Sequence, residues 1–179
     1  MLQNSSIDKT LSIFFSYPTK EHSLKSICKE IKLAHTSVKR NLSILVRRNL
    51  IISSIIRRGK RKFPVYKANT ESREFNKHKK LHNYHAVISS GLVEYLEDIF
   101  MPKAIVLFGS YARGEDTEGS DIDIFIEAKR EDIDIKQFER KLKRKIELHF
   151  KEKFKEYPKE LKNSIINGII LQGYLEEYK

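Results

Sequence analysis

The stretch Ala104–Glu127 constrains the fold of this 179-residue chain more than any other. Ala104–Phe108 is an unbroken apolar run of strand length, and Gly109-Ser110 ends it ahead of the helix-compatible Tyr111-Ala112-Arg113. Further on, Asp121-Ile122-Asp123-Ile124-Phe125-Ile126 alternates polar and apolar residues. Alternate side chains of a strand share a face. Asp121 and Asp123 are therefore predicted to project together, while Ile122, Ile124 and Ile126 face a core.

This arrangement has chemical consequences. The first N–H groups of a helix lack internal partners, so a strand running through Gly-Ser into a helical turn offers N–H groups and a hydroxyl to an anion. Two carboxylates held close together repel unless a cation neutralises them, and oxygen donors of this kind suit Mg²⁺. An anion cradle beside a divalent-metal pair is the equipment for phosphoryl or nucleotidyl transfer.

Gly109-Ser110-x-Ala112-Arg113-Gly114, followed by Ser120-Asp121-Ile122-Asp123-Ile124, resembles the signature of the DNA polymerase β-like nucleotidyltransferase superfamily. The likeness is greatest to its small minimal nucleotidyltransferase branch of bacteria and archaea, and it covers residues 86–179. A bare D-x-D would say little. The turn, the Arg-Gly and the Ser-Asp-x-Asp in this order, between two apolar strands, are specific.

The resemblance implies that Asp121 and Asp123 are catalytic and bind one or two Mg²⁺ ions, with Mn²⁺ able to substitute. It also implies a third carboxylate on a neighbouring strand. After the helical pattern Ile135–Lys145, Ile146-Glu147-Leu148-His149-Phe150 alternates like a strand and puts Glu147 where the family usually has Asp. Glu reaches one methylene further, which bears on where a metal or base would sit. The competing reading makes Glu147 and His149 the exposed face of an edge strand, and His149 itself reads as solvated. Gly109 and Ser110 are expected at the β/γ-phosphates of a nucleoside triphosphate, with ATP favoured. Arg113 either adds charge there or pairs with Glu115 or Asp116. Ser120 belongs to the same nucleotide-binding motif, where its expected part is to hold the Asp121 turn.

Charge is divided unevenly along the chain. Residues 1–85 carry a formal net charge of +14 and residues 86–179 one of −3. A basic N-terminal module beside a near-neutral one implies a polyanionic partner for the first. Within it, Ile7, Leu11, Ile13, Phe14 and Phe15 predict a helix ending at Tyr17-Pro18. Ser23 is placed to cap a second helix bearing Leu24, Ile27, Cys28 and Ile31, and Thr36 a third with the stripe Val38, Leu42, Leu45 and Val46. The other face of that third helix carries Ser37, Lys39, Arg40, Asn41, Ser43 and Arg47. Two β-branched runs, Leu50–Ile56 and Phe63–Tyr66, are joined by Arg57-Arg58-Gly59-Lys60-Arg61-Lys62, a hairpin with a basic tip.

Three helices and a basic hairpin resemble, by architecture, a winged helix-turn-helix domain. The resemblance implies duplex DNA as partner, with Ser37, Lys39 and Arg40 reading a groove and Arg57, Arg58, Lys60, Arg61 and Lys62 on phosphates. A protein-interaction domain with a solvated basic face is the blander alternative. The expected organisation is α+β: a winged helix-turn-helix domain over 1–69, connecting helix or helices over 70–101, and a nucleotidyltransferase fold with a mixed sheet flanked by helices over 102–179. In the connector, His78, His82 and His85 have helical spacing, but neighbouring Lys77, Lys79 and Lys80 favour a solvated basic face over a metal site.

The single Cys28 excludes an intramolecular disulfide, and no apolar run is long enough to span a bilayer. The N-terminus lacks a signal-peptide profile, so a cytoplasmic protein without membrane contact is expected. Two function classes fit. One is a metal-dependent enzyme moving a nucleoside monophosphate to a hydroxyl of a protein or nucleic acid. In the resembling branch this is an antitoxin-type activity on a HEPN-type partner protein. The other is a DNA-binding regulator whose second domain is an inactive sensor or dimerisation module, and a homodimer suits either.

Overall fold

Ser5 opens the first helix in a computed structural model that describes residues 5–59, 61–154 and 158–176. The chain divides into two units, Met1–Lys79 and Lys80–Lys179. In the first, α1 (Ser6–Ser16) begins with a reciprocal cap: Asp8 N–H donates to the Ser5 hydroxyl, and Ser5 N–H donates to the Asp8 carboxylate. A short strand β1 (His22–Ser23) leads into α2 (Leu24–Ile31), which Ser23 caps through Ser26 as expected. The next helix, α3, spans His35–Arg47.

Two features of α3 differ from the prediction. Its N-cap is Ala34, not Thr36, and no side chain caps it; Val38 N–H bonds the Ala34 carbonyl instead. Val38, Leu42 and Leu45 are buried, as the stripe predicts. Val46 is exposed, and Asn41 takes its place in the interior. The Asn41 amide donates to Thr10 Oγ1 at 3.0 Å and Ser6 Oγ at 3.3 Å, so α1 and α3 are joined by a satisfied polar contact.

Strands β2 (Ile51–Arg58) and β3 (Arg61–Ala68) pair antiparallel from Ile51↔Ala68 to Arg58↔Arg61, and β1 joins the other edge of β3. The strands run further than predicted, so Arg57, Arg58, Arg61 and Lys62 belong to the ladder and not to a loop. Leu11, Phe14, Ile27, Leu42, Leu45 and Phe75 form the core of this unit.

The division between units falls within α4 (Arg73–Ser90). Gly91, at φ +81°, takes a conformation that L-residues avoid and separates α4 from α5 (Leu92–Phe100), giving two helices in the connector. There follow β4 (Ala104–Phe108), α6 (Gly109–Arg113), β5 (Ile122–Glu127), α7 (Lys136–Leu142), β6 (Ile146–Lys151), α8 (Lys159–Ile166) and β7 (Ile169–Gly173). The sheet order is β6-β5-β4-β7, with β5 and β6 parallel and the other pairs antiparallel. The expected α+β class and mixed sheet are therefore present.

Both faces of this sheet are covered. Ile105, Leu107, Ile122, Ile124 and Ile126 pack with Val87, Leu92 and Leu96 on one side. Val106, Phe108 and Phe125 pack with Phe154 and Ile165 on the other. Asp123 shares this second face, at the end of the sheet where β4 turns into α6. Among the described residues, no helix is long and apolar enough to cross a membrane.

Candidate active site

Three residues stand side by side across the sheet. Phe108 on β4 is opposite Asp123 on β5, and Asp123 is opposite Glu147 on β6. Period-two alternation then puts His149 on the same face as Glu147. β6 is an edge strand, which is why the Glu147 side chain remains 60 % exposed. His149 differs from the prediction of a solvated side chain: it is only 21 % exposed, and the Phe108 ring packs against it at 5.1 Å and 64°. A long-range contact with β4, not visible in the local alternation, buries it.

His149 Nε2 lies 3.6 Å from Asp123 Oδ1 and 3.9 Å from Glu147 Oε1. One donor atom from each of these three residues lies within 4.8 Å of the others. His149 Nε2 is buried and has no hydrogen-bond partner among the described residues. Two carboxylates and an orphaned ring nitrogen converging on one point fit a divalent cation. The predicted set was Asp121, Asp123 and Glu147. The structure brings together the last two, with His149 as their neighbour, while half-buried Asp121 precedes β5 and is not in this cluster.

The turn after β4 crowds the same carboxylate. Gly109 has φ +73°, and a Cβ built on it would stand 2.1 Å from Asp123 Oδ2. Only a residue without a side chain lets the backbone come this close. Ser110 follows, half-buried in the first turn of α6. Gly109, Ala112 and Arg113 line a cleft of about 430 Å³ with Asn163 and Ser164 of α8 and with Asn167, the residue that ends it. These three residues are not legible as site residues in the sequence, because nothing local ties residues 163–167 to the Gly109 turn.

Of the alternatives for Arg113, the structure has it donating to Glu115 at 2.7 Å, an exposed pair of small energetic weight. Ser120 accepts from the Thr117 N–H at 2.9 Å and closes the turn leading to Asp121. Asp116 is buried. Its Oδ1 accepts from the Asn83 amide at 2.7 Å, and its Oδ2 lies 3.8 Å from Arg144 Nη2. Asn83 also donates to the Tyr111 carbonyl, and Arg144 to the Glu118 carbonyl. This network ties the segment between α6 and β5 to α4 and to the residues before β6. Burial, and then the negative charge of Asp116, push the Tyr111 phenol pKa up, opposed by Arg144.

In the N-terminal unit, Lys39 and Arg40 are exposed on α3, and Ser37 is half-buried. Arg57, Arg61 and Lys62 are exposed on the hairpin strands. Arg58 is described by its backbone alone, and Lys60 lies outside the described residues. Arg57 stands directly opposite Lys62, a like-charge pair that costs stability in the absence of an anion.

Residues 89–171 match the nucleotidyltransferase domain family. A protein of Methanocaldococcus jannaschii, provisionally named a protein adenylyltransferase, is 66 % identical over 32 residues. That match covers 18 % of this chain and 32 % of the relative, so the chain spans about a third of that relative's length. The matched stretch lies within the second unit and encloses Gly109, Asp121, Asp123, Glu147 and His149.

Proposed function

We propose that this chain transfers a nucleoside monophosphate from a nucleoside triphosphate, ATP favoured, to a hydroxyl of a protein or nucleic acid. The observation that carries the reading is the adjacency of Asp123 and Glu147 on parallel strands, beside a Gly109 turn that admits no side chain, within a matched nucleotidyltransferase domain. The name of the Methanocaldococcus jannaschii relative supports a protein acceptor and an adenylyl donor. A HEPN-type partner protein is one acceptor this reading accommodates.

In this reading, Asp123 and Glu147 hold Mg²⁺, with Asp121 as a further oxygen ligand beside the triphosphate. Such an ion supplies charge neutralisation at the phosphates and lowers the pKa of an attacking hydroxyl. Gly109 and Ser110 bind the β/γ-phosphates through N–H and hydroxyl groups. The cleft between α6 and α8 has the size of a small-molecule site and presents Asn163, Ser164 and Asn167 to the rest of the nucleotide. Ser120 and the buried Asp116 act on position, holding the chain that delivers Asp121. No covalent chemistry is asked of the protein, so orientation and charge carry the rate.

The N-terminal unit serves, in the same proposal, as a winged helix-turn-helix module on duplex DNA. Exposed Lys39 and Arg40 on α3, and the like-charge facing of Arg57 and Lys62, support it. The regulator reading, in which the second unit only senses a nucleotide, differs in one measurable respect. Incubation of the full chain with labelled ATP, Mg²⁺ and candidate protein and RNA acceptors should yield labelled acceptor. Asp123→Asn should abolish it and Glu147→Gln reduce it by about 10²-fold or more, whereas Glu147→Asp should retain it. Labelling that survives Asp123→Asn would overturn the enzyme reading, and binding of ATP without transfer to any acceptor would favour the sensor.

A further inference from the structure

Resting on the metal-site reading above, we propose that His149 is itself a ligand of the bound ion through Nε2. The site would then prefer borderline transition-metal dications such as Co²⁺ and Zn²⁺ over Mg²⁺.

Three observations converge on this. The first is the state of Nε2. It is buried without a hydrogen-bond partner among the described residues, and its nearest charged neighbours, at 3.6 and 3.9 Å, are beyond hydrogen-bond range. A buried polar atom left so is destabilising, and a native site carries that cost where something else satisfies the atom.

The second is convergence. An ion with bonds of about 2.1 Å separates adjacent ligand atoms by about 3–3.5 Å. The three donors here lie within 4.8 Å of one another, and the two distances to Nε2 need to shorten by only a few tenths of an ångström to reach that range. Glu147, more exposed and with two methylenes, is the side chain free to make that adjustment.

The third is restraint. The Phe108 ring, itself buried, meets the imidazole at 5.1 Å and a steep angle. This wall holds His149 beside Asp123, where a solvated strand residue would swing outward. Phe108 and Asp123 face each other in the β4–β5 register, so the restraint and the neighbouring ligand come from one row of the sheet.

The preference follows from donor chemistry. Mg²⁺ demands oxygen ligands and retains its waters, while imidazole suits the later first-row dications. Replacing one oxygen of an all-carboxylate site by nitrogen therefore raises affinity for Co²⁺ or Zn²⁺ with little gain for Mg²⁺. An alternative role for His149, a positive counter-charge to the two carboxylates, predicts the opposite sign: its removal would strengthen cation binding.

The test titrates the full chain with Co²⁺ alone and with Mg²⁺ alone, without nucleotide, following the visible absorption of bound Co²⁺ and the heat of binding. The unmodified protein is expected to bind Co²⁺ at least about tenfold more tightly than Mg²⁺. His149→Ala should weaken Co²⁺ by about tenfold or more and Mg²⁺ by less than about threefold. Proton NMR of the unmodified Co²⁺-loaded protein should show a paramagnetically shifted imidazole N–H, a readout that needs no variant to fold. Its absence with Co²⁺ bound overturns the proposal, as does equal weakening of both metals or a gain in Co²⁺ affinity in His149→Ala. If the unmodified protein binds Mg²⁺ and Co²⁺ equally, only the nitrogen ligand is lost. If it binds neither, with or without ATP, the metal-site reading falls with it.

Discussion

The Asn83 amide donates a 2.7 Å hydrogen bond to Asp116, and both side chains are buried although 33 positions separate them in the chain. The pair anchors the segment that ends in Asp121 to α4. Asp116→Ala leaves the buried Asn83 donor and the Arg144 guanidinium without this acceptor. Urea unfolding should show a loss of about 1–3 kcal/mol, with a smaller loss in Asp116→Asn, which keeps one carbonyl oxygen. A change within about 0.5 kcal/mol for Asp116→Ala would show that the segment is held by other contacts.

Gly109→Ala tests the close approach to Asp123. The new methyl group displaces the carboxylate from the position in which it faces His149 and Glu147. Transfer should fall by about 10²-fold, the scale of an ångström-sized misplacement. Gly91→Ala is the control: φ is similarly positive at +81°, but nothing lies within 4 Å of its Cβ. Both variants should lose about 1 kcal/mol of stability from backbone strain, while only Gly109→Ala loses the activity.

Tyr111 gives a pH signature. Its phenol pKa is raised in the folded protein, so the stabilisation linked to it is fully present below the unfolded value of about 10 and is lost as pH rises beyond it. Unfolding free energy should therefore decline above about pH 10, and Tyr111→Phe should flatten that decline. Ultraviolet titration of the eight tyrosines should show one phenol ionising only as the protein unfolds. A full titration of all eight while near-ultraviolet circular dichroism stays native would contradict the assignment.

The hairpin makes a prediction about salt. Arg57→Ala, Arg61→Ala and Lys62→Ala combined should weaken duplex DNA binding by the full chain. The slope of log affinity against log salt should flatten by about 0.9 for each phosphate contact removed. Folding stability should hold within about 0.5 kcal/mol or rise, because the Arg57–Lys62 repulsion disappears. An unchanged slope would place the phosphate contacts elsewhere.

What could be read from the sequence was local. The Ala104–Phe108 run, the Gly-Ser break and the Asp121–Ile126 alternation each specify their own conformation, and β4, α6 and β5 form where those signals lie. Glu147 was legible for the same reason, since alternation over 146–150 specifies a strand. His149 was not, because its burial depends on Phe108, a residue of another strand whose proximity no periodicity encodes. Asp116 is legible only as an alternative partner of Arg113, and it is the fold that brings Asn83 and Arg144 to it. Asn41 was placed on an outer face by residue type, yet Thr10 and Ser6 supply partners that make its burial tolerable. β1, only two residues long, exists because β3 presents a free edge to it.

The parallel pairing of β5 and β6 determines how this site tolerates insertions. A parallel neighbour is reached only by a crossover, so residues 128–135, between the end of β5 and the start of α7, form a connection whose length sets no ligand. Loop insertions there leave Asp123 and Glu147 in register. A single residue inserted between Ile146 and Glu147 acts differently: it turns the rest of the strand over, so that the inserted residue and Leu148 stand where Glu147 and His149 now do. Within β6, the carboxylate and the imidazole are gained or lost as a pair.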